Sequence, residues 1–185
     1  MLRCYDDSAV MAQMEMHPGE IHVWRVQGLQ SLAASRAVLR RYTSGALEFA
    51  HGPHGKPYLR DAPQLQFNLS HSGGVSLVAV ALDVEVGVDI ERLRPVPDCL
   101  AVAGRFLAPR DAAALAETPA VEREREFFAR WTRAEAMWKA RGIGLYGAGV
   151  ALDGDWTVVP VEAGEEYAAA VAAERSGMTV EMQRL

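Results

Sequence analysis

The chain has 185 residues, of which 50% are hydrophobic and 23% are charged, with a formal net charge of −5. This composition can bury a core in one compact domain or in two small joined halves, and the acidic balance argues against general nucleic-acid binding. The longest strongly apolar stretch, 75–82, falls far short of the roughly 20 residues that span a bilayer, so we expect no membrane segment.

The start of the chain gives an indication of compartment. Its first seven residues, Met-Leu-Arg-Cys-Tyr-Asp-Asp, lack the apolar core of a secretory signal. Cys4 and Cys99 are isolated, without a CxxC pair or a histidine at metal-ligand spacing. Two such cysteines are typical of free thiols in a reducing compartment. We therefore expect a cytoplasmic protein.

The first half of the chain is predicted to contain three strands, one helix and two turn-rich segments. The predicted strands are 21–26, 65–69 and 75–82, the helix is 31–42, and the turn formers lie at 51–57 and 71–74. The hydroxyls, imidazole and turn amides at 70–74 form a plausible anion site. Taken singly, His71 is equally consistent with a structural cap.

The next segment, 84–91, alternates in a way that separates its acidic side chains from its apolar ones. Val84, Val86, Val88 and Ile90 share one face of a predicted strand, whereas the opposite face carries Glu85, Gly87, Asp89 and Glu91. The α-carbons of Asp89 and Glu91 should lie roughly 7 Å apart, so their charges repel unless a proton or a cation intervenes. Gly87 leaves room for a close approach to the backbone. An ordinary exposed acidic edge is the alternative interpretation.

A long predicted helix, 122–140, follows two shorter ones around 101–106 and from about residue 110. Phe128, Trp131, Glu135 and Lys139 follow helical spacing and share one stripe. Glu135 is thus either half of a plain pair with Lys139 or a half-buried carboxylate that can bind a metal or accept a proton. Three carboxylates without histidine or cysteine partners favour Mg²⁺.

The tail contains two strand-like runs, 156–161 and 178–182, on either side of an alanine-rich stretch at 167–173. Helices and strands are therefore mixed without the regular alternation of a doubly wound parallel sheet. We predict an α+β fold.

Five short motifs appear in order along the chain. They are Gly-Lys-Pro at 55–57, Phe-Asn-Leu-Ser-His-Ser at 67–72, Gly-Val-Asp-Ile-Glu at 87–91, Trp-Thr-Arg-Ala-Glu-Ala at 131–136 with Lys139, and Gly-Ile-Gly-Leu at 142–145. Together they resemble the Sfp-type 4′-phosphopantetheinyl transferases. The resemblance implies a monomer with a pseudo-twofold fold of two similar α+β halves, 1–84 and 85–185, with coenzyme A (CoA) in the cleft between them.

The resemblance also implies a reaction and a metal. Asp89, Glu91 and Glu135 would surround Mg²⁺ on the CoA pyrophosphate, and Lys139 would pair with that pyrophosphate. Phosphopantetheine would pass to a serine of an acyl or peptidyl carrier protein, releasing 3′,5′-bisphosphoadenosine. Phosphoryl transfer depends mainly on placing the nucleophile and neutralising charge, so Glu135 and Lys139 are the expected catalytic residues, with Glu135 also able to take the serine proton.

The remaining CoA contacts are carried over from the same motifs. Lys56, with Pro57 beside it, would bind CoA near the nucleotide, and Ser70 and His71 would contact CoA phosphates. Carrier proteins of this kind tend to present an acidic helix. A complementary docking surface is therefore expected at Arg92, Arg94, Arg105 and Arg110, although scattered arginines are commonly just soluble surface.

Two departures from the family pattern leave alternatives open. Ala134 stands where relatives usually carry lysine, and the short stretch 27–31 lacks the basic segment that normally helps to hold the CoA 3′-phosphate. Arg36 or Arg40 are the candidates to substitute for it. The alternatives are a non-catalytic relative that binds CoA or a carrier protein, and a magnesium-dependent nucleotide hydrolase.

Overall fold

The structure, a computed structural model, describes residues 13–29, 31–147 and 153–185. Its strands are β1 (Glu20–Gln27), β2 (Phe49–His51), β3 (Pro57–Leu59), β4 (Leu65–Ser72), β5 (Val75–Leu82), β6 (Val86–Arg92), β7 (Thr157–Pro160), β8 (Tyr167–Ala173) and β9 (Thr179–Arg184). Its α-helices are α1 (Ser31–Leu39), α2 (Cys99–Phe106), α3 (Pro109–Glu117) and α4 (Ala120–Ala140), and a 3₁₀ turn covers Gly144–Gly147. The mixture of helices and sheets confirms the α+β prediction.

The strands form two main sheets and a small hairpin. The first sheet has the order β4-β5-β1-β9, the second has the order β6-β8-β7, and β2 pairs with β3. Strands from residues before 85 build the first sheet, except that β9 crosses back and lies parallel to β1. Apart from β9, the strands of the first sheet precede residue 85, and those of the second sheet follow it. The division into two similar halves at residue 84 stays a prediction.

The core is layered, because both sheets are covered on both faces. Ile21 and Leu77 of the first sheet meet Val88 and Ile90 of the second in a core between the sheets. Helix α1 covers the outer face of the first sheet in a second core cluster. Helix α4 covers the outer face of the second sheet, so β6 lies between the central core and α4.

The predicted alternation of the segment 84–91 is confirmed, and it explains why α4 lies so close. The apolar side chains of β6 are buried between the sheets, while Gly87 faces α4. A Cβ atom at Gly87 would collide with the backbone of Ala136 and Ala140. The room expected at Gly87 is therefore filled by the backbone of helix α4.

The alanine-rich stretch at 167–173, which the sequence left unassigned, is strand β8 at the centre of the second sheet. Alanine favours helices in isolation, but a central strand under a close helix needs small side chains. Ala170 and Ala172 pack directly against Ala136 of α4, and all three are fully buried. Tertiary packing decides the conformation here.

The remaining elements differ from the predictions mainly at their ends. The predicted helix 31–42 ends at Leu39, and β4 extends to Ser72, so the turn shrinks to Gly73 and Gly74. Both glycines have positive φ angles, 56° and 86°, which favour glycine. Cys99 is a buried free thiol, whereas Cys4 lies outside the described residues. No helix in the described ranges has the length and apolar character needed to cross a membrane.

Candidate active site

Asp89 is the buried centre of the site, at the junction of β4, β6 and α4. Its side chain is 3% exposed. One carboxylate oxygen, Oδ1, accepts hydrogen bonds from the Ser70 hydroxyl at 2.8 Å and from the Lys139 ammonium at 2.6 Å. The other oxygen, Oδ2, is buried and has no hydrogen-bond partner within the described part of the chain. A buried acceptor without a partner is costly, so this oxygen is available to a cation or a donor.

Glu135 lies one helical turn before Lys139 on α4 and is half-buried, as its stripe predicted. Its Oε2 atom is 3.5 Å from the Lys139 ammonium, so the plain pair with Lys139 also exists. Burial raises the pKa of Glu135, and the charges of Asp89 and Glu91 raise it further, whereas Lys139 lowers it. Glu135 is therefore close enough to Asp89 and Glu91 to be repelled by both charges.

Glu91 lies at the outer end of β6 and already has a cationic partner. Its Oε2 atom accepts a hydrogen bond from Arg94 at 2.9 Å and one from the Ser72 hydroxyl at 3.5 Å. The guanidinium of Arg94 also lies 5.1 Å from the ring centre of Phe128. Arg94, which was predicted only as part of a docking surface, therefore contacts two residues of the site, Glu91 and Phe128.

These contacts bear directly on the predicted magnesium site. Across 13–29, 31–147 and 153–185, no group of three or more histidine, cysteine, aspartate or glutamate side chains is arranged to hold a metal ion. Instead, Asp89 forms an ion pair with Lys139, and Glu91 forms one with Arg94. The donor chemistry nevertheless fits a hard cation. Asp89 Oδ2 lacks a partner, and burial together with the charges of Asp89 and Glu91 raises the pKa of Glu135.

Lys56 connects the β2–β3 hairpin to the second sheet. Its ammonium donates to the Glu85 carboxylate, to the Val86 carbonyl at 3.1 Å and to the Ala140 carbonyl at 2.6 Å. A lysine has three N–H donors, so all of them have partners. Burial lowers the pKa of Lys56. A phosphate could bind this ammonium only by replacing one of those partners.

Lys56 and Pro57 also line a cavity of about 490 Å³. The same cavity is bordered by Tyr58 of the hairpin and by Gly142, which follows helix α4. The structure therefore brings the Gly-Lys-Pro and Gly-Ile-Gly motifs to one concave surface. The placement of Lys56 and Pro57 near a nucleotide stays a prediction.

Ser70 and His71, the two predicted phosphate contacts, point to opposite sides of β4. Ser70 is buried and bonds to Asp89, whereas His71 is exposed. Neighbouring residues on a strand project to opposite faces. The structure thus brings Ser70 into the carboxylate cluster and leaves His71 outside it.

Comparisons with known proteins support the motif-based reading. The family model of the 4′-phosphopantetheinyl transferase superfamily matches residues 85–172, which contain β6, α4 and all but the last residue of β8. The 4′-phosphopantetheinyl transferase HetI of Nostoc sp. is 32% identical over 166 residues, covering 68% of this chain and 70% of HetI. This chain belongs to the 4′-phosphopantetheinyl transferase superfamily.

Other members of the superfamily match over shorter parts of their length. The Synechocystis sp. protein slr0495 is 34% identical over 148 residues, which cover 75% of this chain and 60% of slr0495. The 4′-phosphopantetheinyl transferase psf-1 of Bacillus pumilus is 42% identical over 92 residues, which cover 50% of this chain and 38% of psf-1. The chain thus spans between about two fifths and seven tenths of these three relatives.

The two departures from the family pattern lie in different surroundings. Ala134 packs in the core cluster around α2 and α4, about 100° around the helix from Glu135. In the N-terminal half, the guanidinium of Arg36 lies 4.9 Å from the ring centre of Phe49, and Arg40 donates to the Gly45 carbonyl at 3.2 Å. The substitution of either arginine for the missing basic segment stays a prediction.

Sequence reasoning missed two polar side chains beside the cluster, Asn68 and Ser72. The Asn68 side-chain oxygen accepts the Val88 amide at 3.1 Å, and the Ser72 hydroxyl accepts the Arg92 amide at 2.9 Å. The signal was present in the sequence, because residues 68, 70 and 72 are all polar and share one face of a strand. Nothing in the sequence, however, indicates that β6 lies beside that face.

Proposed function

We propose that this protein transfers the 4′-phosphopantetheine group of coenzyme A to a serine of an acyl or peptidyl carrier protein, with Mg²⁺ as cofactor and 3′,5′-bisphosphoadenosine as the second product. The observation that carries the proposal is the buried Asp89 carboxylate, which has one oxygen held by Ser70 and Lys139 and the other without a partner. The similarity of the chain to HetI and psf-1, both named 4′-phosphopantetheinyl transferases, supports the same reaction.

In this proposal Asp89, Glu91 and Glu135 hold the metal. When bound, Mg²⁺ neutralises negative charge on the phosphate oxygens of coenzyme A. Oxygen ligands are those that Mg²⁺ prefers, and the unpartnered oxygen of Asp89 provides one of them. Glu91 would exchange its contact with Arg94 for the metal.

In the proposed reaction, residues of this chain accept the proton of the carrier serine and stabilise the charge of the departing phosphate. The serine hydroxyl attacks the phosphorus of the phosphopantetheine phosphate, and the bond from that phosphorus to the bisphosphoadenosine oxygen breaks. Glu135 would accept the serine proton from its half-buried position beside Lys139. Lys139, held 2.6 Å from Asp89, stabilises the negative charge on the departing phosphate.

Mass spectrometry of an apo carrier protein tests the transfer. The carrier is incubated with this protein, coenzyme A and Mg²⁺, and a carrier with alanine in place of the target serine is the matched control. We expect the first carrier to gain the mass of one phosphopantetheine group and the second to gain nothing.

The same assay separates the two alternatives. Breakdown of coenzyme A in the absence of any carrier would indicate a hydrolase. Binding of coenzyme A or a carrier, measured by calorimetry, without any mass gain would indicate a non-catalytic relative. A monomeric state and a cytoplasmic location stay predictions of the proposal.

A further inference from the structure

Strands β4 and β6 belong to different sheets, yet they lie side by side and are joined by side chains rather than by a backbone ladder. Three alternate amides of β6 donate to three alternate side chains of β4. The contacts are Val88 to Asn68 Oδ1 at 3.1 Å, Ile90 to Ser70 Oγ at 3.4 Å and Arg92 to Ser72 Oγ at 2.9 Å. We call Asn68, Ser70 and Ser72 the polar ladder.

The ladder follows from the pleat of β4 and from burial. Leu65 and Phe67 of β4 pack toward helix α1, while the polar ladder projects toward β6. On the edge of β6 that faces β4, the amides of Val88 and Ile90 are buried, whereas that of Arg92 is exposed. A buried amide without an acceptor costs about 1–3 kcal/mol. Short side chains with an oxygen satisfy these amides without requiring β4 to join the second sheet.

The amides held by the ladder are the ones that flank the carboxylates. Val88 and Ile90 lie on either side of Asp89, and Ile90 and Arg92 lie on either side of Glu91. Ser70 also donates to Asp89 at 2.8 Å, and Ser72 donates to Glu91 at 3.5 Å. The polar ladder therefore makes hydrogen bonds both to the backbone that flanks Asp89 and Glu91 and to their carboxylates.

We propose that Asn68 and Ser72 are positioning residues, which hold β6 in the register that presents Asp89 and Glu91 to Glu135. They act through the amides of Val88 and Arg92 rather than by touching a substrate. The catalytic consequence rests on the proposed function, whereas the positioning itself does not.

Amide hydrogen exchange, followed by NMR on the full chain, tests the positioning. We expect Asn68→Ala to speed exchange at Val88, and Ser72→Ala to speed it at Arg92, each by about tenfold, as loss of one hydrogen bond implies. Ser72→Thr keeps a hydroxyl and should restore the slow exchange. Gln66→Ala is the control, because Gln66 shares the parity of the ladder, whereas its side chain donates to the Pro63 carbonyl and, among the described residues, makes no hydrogen bond to β6.

A second readout separates positioning from a merely structural contact. In Ser72→Ala, the carboxyl ¹³C shifts of Asp89 and Glu91 should move, and they should stay at wild-type values in Gln66→Ala. In the transfer assay, Ser72→Ala should lower kcat by about tenfold with little change in the KM for coenzyme A. Ser72→Thr should recover the wild-type kcat.

Each outcome decides one claim. Unchanged exchange at Arg92 or unchanged carboxyl shifts in Ser72→Ala would overturn the inference. Faster exchange with an unaltered kcat would also overturn it, because the contact would then have no effect on the site. Absence of transfer by the wild-type protein would instead refute the proposed function, and exchange and carboxyl shifts would still decide the positioning. Ser72 is partly exposed, so its variants serve even if Asn68→Ala fails to fold.

Discussion

Strand β6 is held on two sides by different means. On the helix side, the backbone of α4 lies directly against Gly87, with no side chain between them. On the β4 side, the oxygens of Asn68, Ser70 and Ser72 accept its amides. The helix side therefore fixes the distance between Asp89 and Glu135 through steric contact, whereas the β4 side fixes the register of the carboxylates through hydrogen bonds.

The largest expected effect comes from adding one methyl group on the helix side. In Gly87→Ala, the new Cβ atom would collide with backbone atoms of Ala136 and Ala140, which cannot move without shifting α4. We expect a loss of about 3 kcal/mol or more in the free energy of unfolding, measured by denaturant titration. Gly104→Ala on α2 is the control, since a Cβ there meets nothing within 4 Å. Equal stability of the two variants would contradict close steric contact between Gly87 and α4.

Asp89→Asn removes the charge that pairs with Lys139 while keeping the shape of the side chain. The Lys139 ammonium would lose the partner that now lies 2.6 Å away. We expect stability to fall by about 2 kcal/mol and transfer activity to be nearly lost. Asp111→Asn, which breaks a more exposed pair with Arg130, should cost less than about 1 kcal/mol. If both variants lost the same stability, the claim that the buried pair of Asp89 with Lys139 stabilises the fold more than the exposed pair would be wrong.

Lys56→Met tests the third connection to this region, between the β2–β3 hairpin and the end of α4. The variant would leave the Val86 and Ala140 carbonyls without their donor, so we expect a loss of about 1–2 kcal/mol in thermal unfolding.

The pH dependence of that loss has a definite sign. Burial lowers the folded-state pKa of Lys56 below its usual 10.5, so the unfolded chain binds more protons between those two values. This group therefore makes wild-type stability rise with pH in that alkaline window. Lys56→Met should remove this rise, and an unchanged slope would contradict the assignment.

The smallest expected effect on stability is a gain. Burial and the charge of Asp89 raise the folded-state pKa of Glu135 above 4.5, so the folded protein binds more protons between those values and loses stability as pH rises through them. Glu135→Gln removes this penalty together with the Lys139 pair. We expect a net gain of about 0.5 kcal/mol at neutral pH, with loss of most turnover. Unfolding measured at acidic and neutral pH checks the gain, and lower stability at neutral pH would contradict it.

The sequence predicted the parts of the site that depend on local periodicity. The two-residue repeat placed Asp89 and Glu91 on the face of β6 opposite its valines, and helical spacing placed Glu135 beside Lys139. The remaining contacts join segments that are distant in the chain. The pairing of Asn68 with Val88 depends on how two sheets meet, a feature that no local pattern records.

Two further features escaped prediction for related reasons. Strand β8 forms from seven residues of which five are alanine, because close packing under α4 outweighs the helix propensity of alanine. The pairing of Arg94 with Glu91 depends on the path of the chain just after β6. Period and composition specify neither the partner of a strand nor the direction of a loop.

The metal dependence of transfer to an apo carrier protein, read by intact mass, tests the proposed function most directly. Protein freed of metal by a chelator is incubated with coenzyme A and the carrier, with and without added Mg²⁺, and Asp89→Asn is run in parallel. We predict that only the wild-type protein with Mg²⁺ adds one phosphopantetheine group to the carrier. Equal modification without Mg²⁺, or by Asp89→Asn, would contradict the account.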